Sequence, residues 1–420
     1  MSIPTARRQL DSWRERATEL DAFDPLAAYV SRFLPCADGT LRSYLDGNSL
    51  GRPPIAALTA LDEFVRLGWG SRLIRGWTEE WMDWPTVVGD ELAAAALGAA
   101  AGQTIVADST SVLLYKLARA ALTTVPGRTE IVVDTDNFPT DRYLLEGIAA
   151  ELGLTLRWVH TQPRLGVTPE LVSQVLSDRT ALFVASQVAY RSGYIADVPG
   201  ITALVQQAGG RVLWDLSHSA GSVPIALDDW RVDFAVGCGY KYLNGGPGAP
   251  AFGYVRFGLQ EEASQPIQGW MGHADPFTMG PGYQRASGIR GFLTGTPPIL
   301  AMVPLRAGIA LLAEAGIDSV RTKSLALTDF ALELYDAWLA PLGVELASPR
   351  DPQHRGSHLM IGREGFDQVL TQLWDRGVIP DFRAPHGIRL GLSPLSTTFA
   401  ELALALAELR DLLGASAGSL

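Results

Sequence analysis

From about Arg128 onward the chain alternates apolar, β-branched runs with amphipathic stretches, and this alternation restricts the fold more than any other feature. TEIVVD is followed by PTDRYLLEGIAAELG, LTLRWVH by TPELVSQVLS, TALFVAS by VPGITALVQQAGG, and RVLWD and DFAVGCG by loops. Strands that are apolar at successive positions, rather than at alternate ones, have to be covered on both faces. Helical crossovers between such strands give an α/β architecture, a mainly parallel sheet sandwiched by helices. In such a sheet the functional groups collect outside the carboxyl ends of the strands.

Past Pro297 the pattern changes. Two long helical periodicities, PPILAMVPLRAGIALLAEAG and SVRTKSLALTDFALELYDAWLAPLG, precede the short strand-like pieces SHLMIG and GIRLGL and a last helix near Thr397 to Leu413. The 420 residues thus divide into a large unit over 51–297 and a smaller α+β unit over 298–420. The first fifty residues are expected to pack with the smaller unit rather than fold alone.

Composition limits the partners. With 47% hydrophobic and 19% charged residues and a formal net charge of -11, the chain is a packed globular protein without the basic stripe that nucleic acid requires. Its two cysteines, Cys36 and Cys238, make neither a disulfide framework nor a metal-ligand spacing, which suits a reducing cytoplasm. ELAAAALGAAAG is too short to span a bilayer, and MSIPTARRQLDSWRERATEL lacks an apolar signal core. The expectation is a cytoplasmic protein acting on a small molecule, with no metal, membrane or nucleic acid.

The chemistry-bearing residues stand where strands end. Asp215 closes RVLWD, and a carboxylate at the end of a buried strand needs a cationic partner, although the same position suits a helix N-cap equally well. Lys241 follows the next apolar run, so parallel strands would bring it to the same sheet edge. A lysine in a partly dry pocket loses proton affinity and becomes a nucleophile toward carbonyls. A strand-end Asp followed by a strand-end Lys is the arrangement pyridoxal phosphate enzymes use, carboxylate to the ring nitrogen and amine to the aldehyde. Thr110 and Ser111 open a helix whose free N–H groups would suit a phosphate or simply an N-cap. NFPTDRY adds Asp141 and Phe138, an aromatic that suits stacking on a flat ring, although aromatics at strand ends more often simply pack. Arg389, in HGIRLGLSP, suits a substrate carboxylate or a structural ion pair. His218 alone reads as an ordinary buried polar residue.

YLDGNSLGRPP, NFPTDRY, LWDLSHSAGSVPIALDDW, GCGYKYLNGGPGAPAFGYV, IQGWMGHADPF and LTGTPPIL, in this order, resemble the kynureninase family of fold-type-I pyridoxal phosphate enzymes over roughly residues 40–400. The resemblance implies hydrolysis of L-kynurenine, or 3-hydroxykynurenine, to anthranilate and L-alanine by a homodimer. It implies that Lys241 holds the cofactor and abstracts the α proton, that Asp215 pairs with the pyridine nitrogen, and that His218 sits beside that end of the ring. It further implies that Phe138 stacks on the cofactor and that Thr110, Ser111, Tyr240 and Trp270 bind its phosphate. Thr296 would arrive across the dimer interface, Tyr240 would assist proton transfer and Arg389 would hold the substrate carboxylate. Trp81 belongs either to the wall of an aromatic substrate pocket or to the core. The chain departs from the family's usual residues at Gln187, Ala189 and Leu113, so a relative acting on another β-acyl amino acid is the alternative. A desulfurase reading is disfavoured, because neither Cys238 nor Cys36 sits on a catalytic loop.

Overall fold

The computed structural model of the chain describes residues 3–162 and 164–417. Strand β1 (Ser43–Leu45) comes first. Strands β2 (Thr104–Ala107), β3 (Glu130–Asp134), β4 (Thr155–Val159), β5 (Thr180–Ser186), β6 (Arg211–Asp215), β7 (Phe234–Cys238) and β8 (Ala251–Val255) form a seven-stranded sheet in the order β2-β8-β7-β6-β5-β3-β4. Strands β9 (Glu345–Leu346), β10 (His358–Gly362), β11 (Val378–Arg383) and β12 (Gly387–Gly391) join β1 in a five-stranded sheet.

The five apolar runs of the sequence are β3 to β7, all mutually parallel in the larger sheet. Their side chains alternate between two cores. Val132, Phe183, Ala185, Val212 and Trp214 pack on one face of the sheet, and Ile131, Val133, Leu182, Val184 and Leu213 on the other. That division is why no polar alternation shows in the sequence. Strand β8 is antiparallel to both β7 and β2, so β2 runs with the parallel set and delivers its carboxyl end to the same edge.

In the smaller sheet β1 pairs in parallel with β11, while β10, β11 and β12 pair antiparallel. The N-terminal helix Ile3–Phe23 lies along the last helix, Phe399–Ala417. The change of core does not fall at Pro297. Ile299, Met302, Leu305, Ile309 and Leu312 of helix Ile299–Ala315 belong to the large unit's core, as does Val320. Leu327, Phe330 and Leu334, on the same helix as Val320, belong to the core of the smaller sheet. The physical reason is that helix Ile299–Ala315 lies against helices Ile55–Glu63 and Trp84–Leu92 and buries its apolar face there. No single helix among the described residues is long and apolar enough to cross a membrane; the one candidate is a pair bent by 85° that begins with this helix.

Candidate active site

The parallel register carries several strand ends to one edge. Ser186 pairs with Asp215, and Asp215 with Val236, so the chain leaving β7 reaches Lys241 just beyond the end of β6. There a cavity of about 180 Å³ is lined by Thr110, Ser111, Phe138, Thr140, Asp141, Asp215, Ser217, His218, Tyr240 and Lys241. Eight of the residues expected from the sequence therefore share one cavity. Thr140 and Ser217 join them; both lie inside the same short motifs, NFPTDRY and DLSHS, where only their neighbours carried a chemical signal.

Local structure explains each placement. Ser109 caps helix Thr110–Thr123, its hydroxyl accepting from the Val112 N–H at 3.4 Å, so the first-turn N–H groups face the cavity with the positive end of the helix dipole. Phe138 directly precedes helix Pro139–Leu152, whose first residue is a proline with φ already suited to the first turn. The Phe138 ring meets Tyr190 edge-on at 5.4 Å and stands 5.9 Å from the Lys241 amine.

The lysine loop is tied down on three sides. The Gly51 N–H donates to the Tyr240 carbonyl at 2.8 Å, the Asn244 N–H donates to the Lys241 carbonyl at 2.9 Å, and the Tyr242 hydroxyl donates to the Ser357 carbonyl at 3.1 Å. Gly51 has to be glycine, because a Cβ there would lie 2.3 Å from the Lys241 carbonyl oxygen.

The electrostatics separate donors from acceptors. Asp215 accepts from the Ser217 N–H at 2.8 Å. Asp141 is buried with no hydrogen bond to its Oδ2, and burial, with Asp215 and Asp134 close by, pushes its carboxyl well above the usual carboxylate range. Burial raises the Tyr240 phenol, so it stays a protonated donor. Burial, together with the charges of Lys241 and Arg389, holds His218 well below the usual imidazole value and keeps it neutral.

His218 has its own place inside the cavity, and the other four expected residues, Trp81, Trp270, Thr296 and Arg389, stand outside it. His218 lies against the lysine amine, its ring nitrogens 3.3 and 3.5 Å from Nζ. The turn after β6, where the Ser219 N–H donates to the Leu216 carbonyl, carries it there. Trp81 is a core residue packed on Phe64 and Trp77 and does not line the cavity. Trp270 does not reach the cavity of its own chain; it packs against Trp77 and Phe277 on a short turn after β8. Thr296 is exposed and also outside that cavity. Arg389 is fully buried on β12, beyond the cavity lining. It donates to the Tyr190 carbonyl at 2.6 Å, to the Ser49 hydroxyl at 2.8 Å and to Asp381.

The residues fit pyridoxal phosphate. A buried carboxyl with an unpartnered oxygen beside a second carboxylate suits a ring N–H, a helix N-terminus suits a phosphate, and a lysine lining the same cavity suits an aldehyde.

Comparison with known proteins agrees. The kynureninase C-terminal domain family matches residues 320–409. The kynureninase of Pseudomonas fluorescens is 41% identical over 397 residues, covering 93% of this chain and 92% of the relative. The chain belongs to the kynureninase family. A second kynureninase, from Burkholderia pseudomallei (strain 1106a), is 41% identical over 410 residues, 96% of each chain. Among solved structures, the apo cysteine desulfurase of Thermococcus onnurineus NA1 superposes with a TM-score of 0.80 at 19% identity, over 92% of this kynureninase-family chain and 98% of that one. The cysteine desulfurase CsdA of Escherichia coli does so with a TM-score of 0.78 at 20% identity, over 93% and 98%. At such identities the likeness concerns the fold alone.

Proposed function

We propose that this chain is a pyridoxal phosphate-dependent hydrolase that takes L-kynurenine and water to anthranilate and L-alanine by cleaving the Cβ–Cγ bond. The observation that carries the reading is the convergence of Lys241, Asp215 and Asp141 on one cavity at the edge of a parallel sheet. The choice of substrate rests on the two kynureninases that share 41% of its residues over nearly the whole chain.

In this reading Asp215 and Asp141 hold the ring nitrogen, the first turn of helix Thr110–Thr123 with Thr110, Ser111 and Tyr240 holds the phosphate, and Phe138 covers one ring face. Bound there, the cofactor would take up the amino group of the substrate and act as the electron sink that lets the hydrated γ-carbonyl part from Cβ. Lys241 removes the α proton. The neutral His218 beside it accepts a hydrogen bond from the amine and orients it. The protonated Tyr240 phenol stands ready to return a proton to Cβ. Arg389 faces the α-carboxylate.

A homodimer belongs to the same proposal, because Trp270 and Thr296 lie outside their own chain's cavity and a partner copy would bring them to the phosphate. Exposed Leu58, Leu67, Trp69, Leu73 and Ile74 offer an apolar surface for such a copy. A cytoplasmic location fits the two unpaired cysteines, Cys36 and Cys238. Incubating the holoenzyme with L-kynurenine and recording anthranilate fluorescence tests the reaction; parallel assays with 3-hydroxykynurenine rank the ring. Absence of anthranilate at any enzyme concentration would overturn it.

A further inference from the structure

Resting on that reading, we propose that His358 is a substrate-contacting residue whose ring donates a hydrogen bond to the α-carboxylate beside Arg389. His358 opens β10 and is paired with Gly391 of β12, while Met360 is paired with Arg389. Cross-strand partners share a face, and so do residues two apart, so His358 and Arg389 project from the same face of the smaller sheet as diagonal neighbours. The His358 ring is fully buried and lies 5.7 Å from the ring of His218, which itself touches the lysine amine.

Neither nitrogen of the His358 ring makes a hydrogen bond of proper geometry. The Arg191 carbonyl, which would favour the charged ring, is outweighed by burial and by the positive charges of Arg389, Lys241 and Arg383, so the imidazole is held neutral. A buried imidazole without a well-formed hydrogen bond at either nitrogen is costly unless a ligand completes it.

Arg389 shows what the ligand would need. A guanidinium has five N–H bonds. Two hydrogens of Nη2 go to Ser49 and Asp381, one of Nη1 goes to the Tyr190 carbonyl, and Nε donates to the Asn48 amide oxygen at 3.1 Å once that amide is turned to face it. One N–H is left. A carboxylate meeting it is held through one oxygen, and the free N–H on the neighbouring His358 ring is the donor available to the second.

The test uses full-length holoenzyme carrying His358→Gln, which keeps a side-chain N–H donor, and His358→Phe, which does not. L-alanine and ethylamine, which differ only in the carboxylate, are titrated against the absorption of the bound cofactor, and KM and kcat for L-kynurenine are measured beside them. The Phe variant should weaken L-alanine binding about tenfold, the scale of a hydrogen bond to a charged group, leave ethylamine binding unchanged and raise KM more than it lowers kcat. The Gln variant should recover most of the loss. An unchanged ratio of L-alanine to ethylamine affinity in the Phe variant, an equal loss of both, or a Gln variant no better than Phe would overturn the assignment. Wild-type turnover of L-kynurenine reports separately on the proposed reaction, since the L-alanine and ethylamine titrations need no turnover.

Discussion

Lys241 sits on a short tied-down turn, with its amine between a histidine ring and the Phe138 ring. Lys241→Ala should leave no borohydride-reducible adduct with the cofactor and remove the corresponding absorption band; an adduct that survives reduction would mean another amine carries the cofactor. Asp215→Asn should keep the fold but lower kcat about a hundredfold or more, the effect of removing one member of a buried charge pair, as measured by anthranilate release. A third carboxyl makes a prediction about pH. Asp134, at the end of β3, is pushed up to about 7 by burial and by the Asp136 carboxylate. Between about pH 4 and the folded value the unfolded chain has lost this proton and the folded chain keeps it, so Asp134 makes the protein less stable as pH rises through that window. Asp134→Asn should therefore raise the melting temperature relative to wild type more at pH 7.5 than at pH 4.5, as calorimetry would record. Asp134 carried no signal in the sequence, because its shift arises from neighbours that only the fold supplies.

The elements that hold these residues were legible to different degrees. Strands β3 to β7 announced themselves because burial on both faces demands continuous apolar character, whereas β2 has only four residues and β8 follows a loop rich in glycine and proline. Helix Thr110–Thr123 was legible from its Ser-Thr-Ser opening. Ser109→Ala should cost about 1 kcal/mol of stability, measured by thermal unfolding, because the Val112 N–H loses its cap. Gly51 lay inside a recognisable motif, yet its reason is tertiary: the segment crosses between the two sheets and presses on the Lys241 carbonyl. Gly51→Ala should displace the lysine loop and lower cofactor affinity about tenfold or more, with the fold retained, which a cofactor absorption titration would show. Unchanged affinity would mean that the loop tolerates the shift.

Across the molecule the decisive event is the meeting of two sheets. The smaller sheet places Arg389 and His358 behind His218, and Tyr190 joins the two parts, its carbonyl accepting from Arg389 while its ring supports Phe138. The proposed homodimer makes a prediction at this scale. Lys241→Ala protein mixed with Thr296→Ala protein should recover activity beyond the sum of the two alone, because one site of the hybrid pairs an intact lysine with an intact threonine; no recovery after subunit exchange would place Thr296 outside the partner's site. Local rules were enough to read the parallel sheet, its functional edge and the convergence of Asp215 with Lys241, since strand period and chain direction are written residue by residue. The position of His218 at the amine, the commitment of Trp81 to the core, the change of core within helix Ile317–Leu334 and the placing of His358 diagonal to Arg389 were not written that way. Each depends on which surfaces meet across hundreds of residues, and long-range packing leaves no periodic trace in the chain that makes it.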